Sequence, residues 1–165
     1  MNDTIGYGLI SQQHLNDMAH RVCEALGHGQ NYKAYNMLLE TAGAETARGI
    51  ILDNTVHAGM GITQIDKLPF QDIKDRCRES DKTAVKIFFG IDIDLIRWEE
   101  LRYNPLLCLI FTRLKYKKIP ESIPNDIELR AKYWKHFYNT EAGKGTVDHY
   151  LSNNFVFNDD EIRIV

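Results

Sequence analysis

The sequence predicts a mainly α-helical fold class with little strand, organised as one domain of several helices. Apolar residues recur at steps of three and four along most of the chain. The first such series comprises Leu15, Met18, Ala19, Val22 and Leu26. A length of 165 residues is sufficient for one substantial core, and no repeat, low-complexity run or linker divides the chain. We therefore expect residues 1–165 to form a single compact multi-helix domain.

Capping residues divide the first part of the chain into helices. Ser11 suits the N-cap of a helix that ends near Gly27. Pro69 suits the first position of a later helix, and Gly90 should end the one after it. Residues 91–94 alternate as a strand would, but their aspartates also suit a helix cap. We favour a helix there.

The second part of the chain holds the most apolar helix. It should begin at Asn104, and because it is hydrophobic nearly all round, we expect it to be central and surrounded. Asn125 is expected to cap the next helix, and Gly145 precedes the last one. The tail, residues 155–165, ends in alternating apolar residues. It could add an edge strand, dock on the domain or bind a partner.

Composition excludes several classes of protein. With 44% apolar and 26% charged residues, the chain is typical of a globular protein and not of a disordered or fibrous one. A net charge of −3 argues against nucleic acid as the main partner. The one dense basic cluster, Lys115, Lys117 and Lys118, is interpreted as a solvated helix end.

The sequence also bears on membranes, redox state and metals. The longest apolar run, residues 106–111, is too short to cross a bilayer, and the N-terminus lacks the pattern of a secretion signal. We expect cytoplasmic synthesis and no membrane insertion. The three cysteines, Cys23, Cys77 and Cys108, are widely spaced, which favours reduced thiols over disulfides. The histidines His14, His20 and His28 lack the spacing of metal ligands. No metal or organic cofactor is implied.

One carboxyl group, that of Glu45, is the candidate acid. It continues an apolar helical stripe that comprises Tyr35, Leu38, Leu39 and Ala42, whereas Glu40 points to the other side. A carboxyl group at the edge of a buried stripe loses hydration, which raises its pKa toward the range of a general acid. The same spacing also fits a carboxylate that merely ends the helix between Gly43 and Gly49.

A turn rich in glycine follows the helix that carries Glu45. Gly59 and Gly61 remove side chains from its wall, whereas Met60 and Ile62 keep an apolar lining. Gln64 adds donors and an acceptor. This mixture suits a sugar, which has apolar ring faces and polar edges.

These residues resemble a known family. A helix-borne Glu followed by Ser or Thr, and then by a Gly-x-x-Gly-Leu-Met-Gln turn, is typical of the lytic transglycosylases and goose-type lysozymes of the lysozyme-like superfamily. Glu45-Thr46 matches the first pair, and Gly-Ile-Thr-Gln-Ile from position 61 resembles the turn, with Gln64 nineteen residues after Glu45. The resemblance covers about residues 32–151 and is closest to phage-encoded cell-wall lytic proteins.

A third element of the family, Ala-Tyr-Asn-Ala-Gly, resembles the segment Phe-Tyr-Asn-Thr from position 137. This segment ends a stripe that also contains Ile127, Ala131 and Trp134, so the hydroxyl of Tyr138 could reach Glu45 or instead bind backbone as an ordinary buried tyrosine does. The chain departs from the family pattern at three places, Ala58, Thr63 and Thr140-Glu141.

The resemblance implies a lysozyme-like fold and cleavage of peptidoglycan glycan strands between N-acetylmuramic acid and N-acetylglucosamine. Glu45 would be the general acid and base, and Tyr138 would orient it. The residues expected to contact the sugar are Thr46, Gly59, Met60, Gly61, Ile62, Gln64 and Asn139. The resemblance also implies that a single Glu can suffice, so a lytic transglycosylase that forms 1,6-anhydro ends is favoured over a muramidase.

Two alternatives stay open. Hydrolases usually hold two carboxyl groups roughly 5–9.5 Å apart, and the spacing of Asp53 and Asp66 places neither across from Glu45. The chain could also be a non-catalytic wall-binding or virion structural protein that keeps the fold. In each case we expect action on the wall after release from the cell or from within a virion, alongside other virion or lysis proteins.

Overall fold

Helices account for nearly all regular structure of the chain. The computed structural model describes residues 5–53 and 59–161, the last four of them by their backbone alone. The α-helices in these ranges are Gln12–Leu26 (α1), Ala34–Thr46 (α2), Lys67–Arg76 (α3), Glu79–Phe89 (α4), Pro105–Lys117 (α5), Ile127–Trp134 (α6) and Val147–Glu161 (α7). The prediction of a mainly helical single domain is confirmed. The part of the chain described contains one isolated antiparallel bridge, between Met60 and Ile65.

Helix α5 lies at the centre of the fold, as its all-round hydrophobicity predicts. Most of its side chains are buried, Phe111 completely. It packs against α1, α2 and α3, while α7 covers α2 and α6. Asn104 caps α5 as expected, because its side chain accepts a hydrogen bond from the backbone NH of Leu107.

Helix α2 is buried on more than one face. Its apolar stripe is matched on the other side by Glu40, whose carboxylate is 4% exposed and accepts hydrogen bonds of 2.9 and 3.0 Å from Nε of Arg130. The hydroxyl of Tyr150 donates to the same carboxylate. Because these partners satisfy its oxygens, Glu40 is part of a buried network between α2, α6 and α7.

Several predicted boundaries are confirmed and others are wrong. The hydroxyl of Ser11 caps α1, and Gly27 follows its last residue. Pro69 is the third residue of α3 and not the first. Asp126, not Asn125, caps α6, because its carboxylate accepts from the backbone NH groups of Glu128 and Leu129.

The connection between α4 and α5 consists of two 3₁₀ turns, Ile93–Leu95 and Trp98–Leu101. The preference for helix over strand is therefore confirmed, with shorter and tighter turns than expected. Helix α7 continues to Glu161, which excludes an edge strand for that part of the tail. The alternating residues Ile162, Ile164 and Val165 lie outside the described residues.

All three cysteines are free, and Cys23 and Cys108 are buried. Within residues 5–53 and 59–161, no helix combines the length and the apolar character needed to span a bilayer.

Candidate functional site

Glu45 lies in the last turn of α2. After Thr46 the backbone enters the left-handed region at Ala47, Arg48 and Gly49, with φ of 48°, 53° and 89°. This run ends the helix and turns the chain sharply. The acidic residue is therefore held at a helix end, as the sequence predicts.

The predicted glycine turn is also present. The backbone NH and CO groups of Met60 and Ile65 form two hydrogen bonds of 2.9 and 3.1 Å, and the NH of Gln64 donates to the CO of Gly61 at 3.0 Å. Gly61 has a φ of +76°, and a Cβ atom there would overlap Sγ of Cys108 and the carbonyl oxygen of Leu101. Glycine is thus required at this position by both conformation and space.

Thr46 joins this turn to the end of α2. Its side chain is fully buried, and its hydroxyl donates a 2.7 Å hydrogen bond to the carbonyl oxygen of Ile62. The same hydroxyl accepts a hydrogen bond of 3.1 Å from the backbone NH of Gly49. Thr46 therefore fixes the position of the turn relative to Glu45.

A cavity of about 390 Å³ opens between the end of α2, the turn and the C-terminal half of the fold. Its wall is mostly polar, with two aromatic side chains and several glycines. The lining residues are Ala44, Glu45, Asp53, Gly59, Gln64, Asp66, Lys115, Trp134, Tyr138, Asn139, Gly143, Lys144, Gly145 and His149. Both acidic and basic groups thus face one space of the size of a small-ligand site.

The carboxyl group of Glu45 is half-buried in this cavity. Its Oε1 accepts a 3.0 Å hydrogen bond from Nε1 of Trp134. Burial is the main cause that raises the pKa of Glu45 to about 7, and the negative charge of Asp66 adds to it. The hydrogen bond from Trp134 and the positive charge of Lys115 act in the opposite direction. Near neutral pH the group can therefore both donate and accept a proton.

Lys115 is a half-buried lysine of the cavity wall. Its Nζ donates a 3.2 Å hydrogen bond to the carbonyl oxygen of Tyr138 and lies 3.8 Å from the centre of the Tyr138 ring. Burial lowers the pKa of Lys115 to about 8. The prediction of one solvated basic cluster is wrong, because Lys115 lines the cavity whereas Lys117 and Lys118 pair with aspartates elsewhere.

Tyr138 lies in the cavity wall, but its hydroxyl does not bind Glu45. The hydroxyl donates a 2.7 Å hydrogen bond to the carbonyl oxygen of Thr63, which is the alternative of a buried tyrosine bound to backbone. The cause is a π-helical segment, Lys135–Asn139, that follows α6 and changes the rotation of the side chains. Trp134, just before this segment, occupies the place next to Glu45 that the sequence assigns to Tyr138.

The residues predicted to contact a sugar divide into two groups. Gly59, Gln64 and Asn139 line the cavity. Nε2 of Gln64 donates to the carbonyl oxygen of Gly61 at 2.8 Å, and Oδ1 of Asn139 accepts from Nζ of Lys135 at 2.8 Å. These contacts hold both amides in place.

The second group does not line the cavity. It comprises Thr46, Met60, Gly61 and Ile62, all buried behind the wall. Met60 and Ile62 belong to the hydrophobic core. These four residues therefore shape the turn and attach it to α2 from behind the cavity wall, and the structure does not bring them to its surface. Ala58, where the family turn begins, lies outside the described residues.

Asp53 and Asp66 line the same cavity as Glu45, which their sequence spacing does not reveal. The sequence also does not identify Trp134, Lys115 and His149 as residues of this cavity. Ring nitrogen Nε2 of His149 lies 2.8 Å from the carbonyl oxygen of Ala44. In the described part of the chain, no group of three or more His, Cys, Asp or Glu side chains is arranged to hold a metal ion.

Comparisons of the chain with protein-family models, with curated proteins and with solved structures gave no match.

Proposed function

We propose that this protein cleaves the glycan strands of peptidoglycan between N-acetylmuramic acid and N-acetylglucosamine. The observation that carries this proposal is the carboxyl group of Glu45, half-buried in a polar cavity with a pKa raised to about 7 by burial. A glycosidase needs a carboxyl group that is protonated when the substrate binds. The sequence resemblance to lytic transglycosylases and goose-type lysozymes supplies the substrate class.

In this mechanism Glu45 donates its proton to the glycosidic oxygen while the bond from the anomeric carbon to that oxygen breaks. A positioned acid contributes on the order of 10²–10⁴ to the rate. The carboxylate that remains accepts the hydrogen bond of Trp134 and lies in the field of Lys115, and both stabilise its negative charge. The carboxylate then takes a proton from the nucleophile that attacks the anomeric carbon.

The wall opposite Glu45 would bind the sugar. Gln64 and Asn139 present amides to the cavity, and Gly59 leaves its backbone accessible. These groups suit the hydroxyl and N-acetyl groups of an amino sugar.

The nucleophile decides between two products. Attack by the muramoyl 6-hydroxyl gives a 1,6-anhydro end and makes the protein a lytic transglycosylase, which the family resemblance favours. Attack by water makes it a muramidase. The presence of Asp53 and Asp66 on the wall of the same cavity favours this second candidate, since hydrolases usually employ a second carboxylate.

The test is incubation of purified peptidoglycan with the protein and mass analysis of the fragments. Anhydro ends identify a transglycosylase, and reducing ends identify a muramidase. Glu45→Gln should abolish release of both, whereas Glu99→Gln, which alters an exposed carboxyl group, should not. If the folded wild type were pulled down with intact wall but released no fragments, a wall-binding or virion structural role would be favoured instead.

A further inference from the structure

A second cavity adjoins the first and differs from it in chemistry. This apolar groove, of about 440 Å³, runs between α3, the end of α5 and the π-helical segment. Its apolar lining consists of Leu68, Pro69, Ile73, Ile119 and Phe137. Lys115 lines both the apolar groove and the cavity that holds Glu45, so the two spaces meet at its side chain.

Of the two lysines that line the apolar groove, one is in no ion pair among the described residues. Asp72 and Lys118 also line it, but they form an ion pair with each other. None of the ion pairs among the described residues includes Lys115, whose hydrogen bond goes to the backbone of Tyr138. A half-buried cation of this kind at the junction of two cavities is suited to the carboxylate of a ligand.

We propose that the apolar groove binds the peptide attached to the muramoyl sugar, with the ammonium group of Lys115 receiving a carboxylate of that peptide. This inference rests on the proposed function. Peptidoglycan peptides join the sugar through its lactyl group, next to the bond that Glu45 would cleave, and they carry both alkyl side chains and carboxylates. The apolar groove complements the alkyl side chains, and Lys115, which lines the cavity of Glu45 as well, complements the carboxylates.

The protonation state of Lys115 agrees with this assignment. A pKa of about 8 leaves the ammonium group mostly protonated at pH 7. Glu45 and Asp66 are the acidic groups whose charges act on it most, and Lys118 acts in the opposite direction. Since the pKa of Glu45 is about 7, its carboxyl group offsets the charge of Lys115 only in part at neutral pH.

The experiment compares one preparation of peptidoglycan before and after enzymatic removal of its peptides. The readout is the ratio of kcat/KM on peptide-bearing strands to kcat/KM on stripped strands, from the rate of appearance of new chain ends. We expect wild type to prefer peptide-bearing strands by about tenfold. Lys115→Met should bring the ratio close to one, and Lys115→Arg should restore part of it because the cation is kept.

Leu68→Ser tests the apolar groove at a position that is 83% exposed, where folding should not be affected. It should lower the ratio about threefold. The matched control is Leu95→Ser, an equally exposed leucine outside the apolar groove, which should leave the ratio unchanged.

The outcomes separate this inference from the function on which it rests. Equal cleavage of both substrates by wild type, or a ratio that none of the groove variants changes, would overturn the inference and leave glycan cleavage intact. Cleavage of neither substrate would overturn the proposed function and the inference with it. The ratio also removes any effect of Lys115 on Glu45 itself, since that effect is common to both substrates.

Discussion

Nε1 of Trp134 donates a 3.0 Å hydrogen bond to Oε1 of Glu45, so the last turn of α6 holds the acid at the end of α2. Trp134 is almost fully buried, and its indole ring packs against Tyr150 with 5.3 Å between ring centres. A donor fixed in this way favours the charged form of the carboxyl group. It therefore limits how far burial raises the pKa of Glu45.

Replacement of Trp134 by Phe should move the pH profile of glycan cleavage to higher pH. Loss of the hydrogen bond removes a cause that lowers the pKa of Glu45, so its pKa should rise above about 7. The carboxyl group of Glu45 then stays protonated at higher pH, so the basic limb of the kcat/KM profile should shift to higher pH. The measurement is the pH profile of fragment release.

Trp98→Phe is the matched control, because its indole nitrogen donates at 2.8 Å to the carbonyl oxygen of Ile65. This substitution removes a hydrogen bond of the same kind, but it should leave the basic limb of the pH profile unchanged. A shift of the limb to lower pH in Trp134→Phe would contradict the role assigned to this indole.

Folding stability should depend on the protonation of Glu45. Its pKa is about 7 in the folded protein against an ordinary value of 4.5, so the folded state binds the proton more tightly. This contribution is fully present below pH 4.5 and is lost as the pH rises through 7. Between pH 4.5 and 8, the free energy of unfolding of wild type should therefore fall by about 3 kcal/mol more than that of Glu45→Gln.

Denaturant unfolding of both proteins at the two pH values measures this difference. The variant Glu99→Gln should follow wild type, because that side chain is exposed. If the free energy of unfolding changed equally with pH in wild type and in Glu45→Gln, the carboxyl group would be well hydrated in the folded state.

Thr46→Val should impair the site more than its cost in stability explains. The substitution keeps the shape of the side chain but leaves the buried carbonyl of Ile62 without its 2.7 Å hydrogen bond, which costs about 1–3 kcal/mol. The turn then loses its attachment to α2, and kcat/KM on peptidoglycan should fall about tenfold or more. Chemical denaturation and fragment release measure the two effects.

Thr41→Val is the control on the same helix. Thr41 is fully buried, and its hydroxyl bonds to the carbonyl oxygen of Met37 and to the hydroxyl of Tyr116, away from the cavity. It should lower stability to a similar extent and leave kcat/KM within about twofold. Equal loss of activity in both variants would show that Thr46 has no special effect on the site.

Gly61→Ala should be far more destabilising than Gly90→Ala. Both glycines have positive φ, at +76° and +68°, so both substitutions carry a similar backbone strain of about 1 kcal/mol. At Gly61 the new Cβ also overlaps Cys108 and the backbone of Leu101, whereas nothing lies near it at Gly90. The free energies of unfolding should differ by about 2 kcal/mol or more. Equal losses would mean that the turn can move away from α5.

Helical periodicity was sufficient to predict the fold class, the buried face of α1 and the central position of α5. It also placed Glu45 at the edge of a buried stripe, and the glycine pattern predicted the turn. These features depend on residues close together in the sequence, so local patterns record them.

The rest of the site depends on contacts that local patterns do not record. Tyr138 and Trp134 lie on one predicted face, but the π-helical segment that follows Trp134 and contains Tyr138 changes which of the two reaches Glu45. Such segments are frequent at functional sites, and no 3.6-residue period reveals them. Asp53, Asp66 and Lys115 belong to three separate parts of the chain and meet Glu45 only in the folded cavity. Thr63 has a structural role that no local pattern records, because its hydroxyl accepts a 2.9 Å hydrogen bond from Thr112.

The hydroxyl of Thr46 has one more consequence. Since it ties the turn at Ile62 to the residue next to Glu45, the turn and the end of α2 should move as one unit. Under the proposed function, we expect the width of the cavity at this junction to change little when a sugar strand binds.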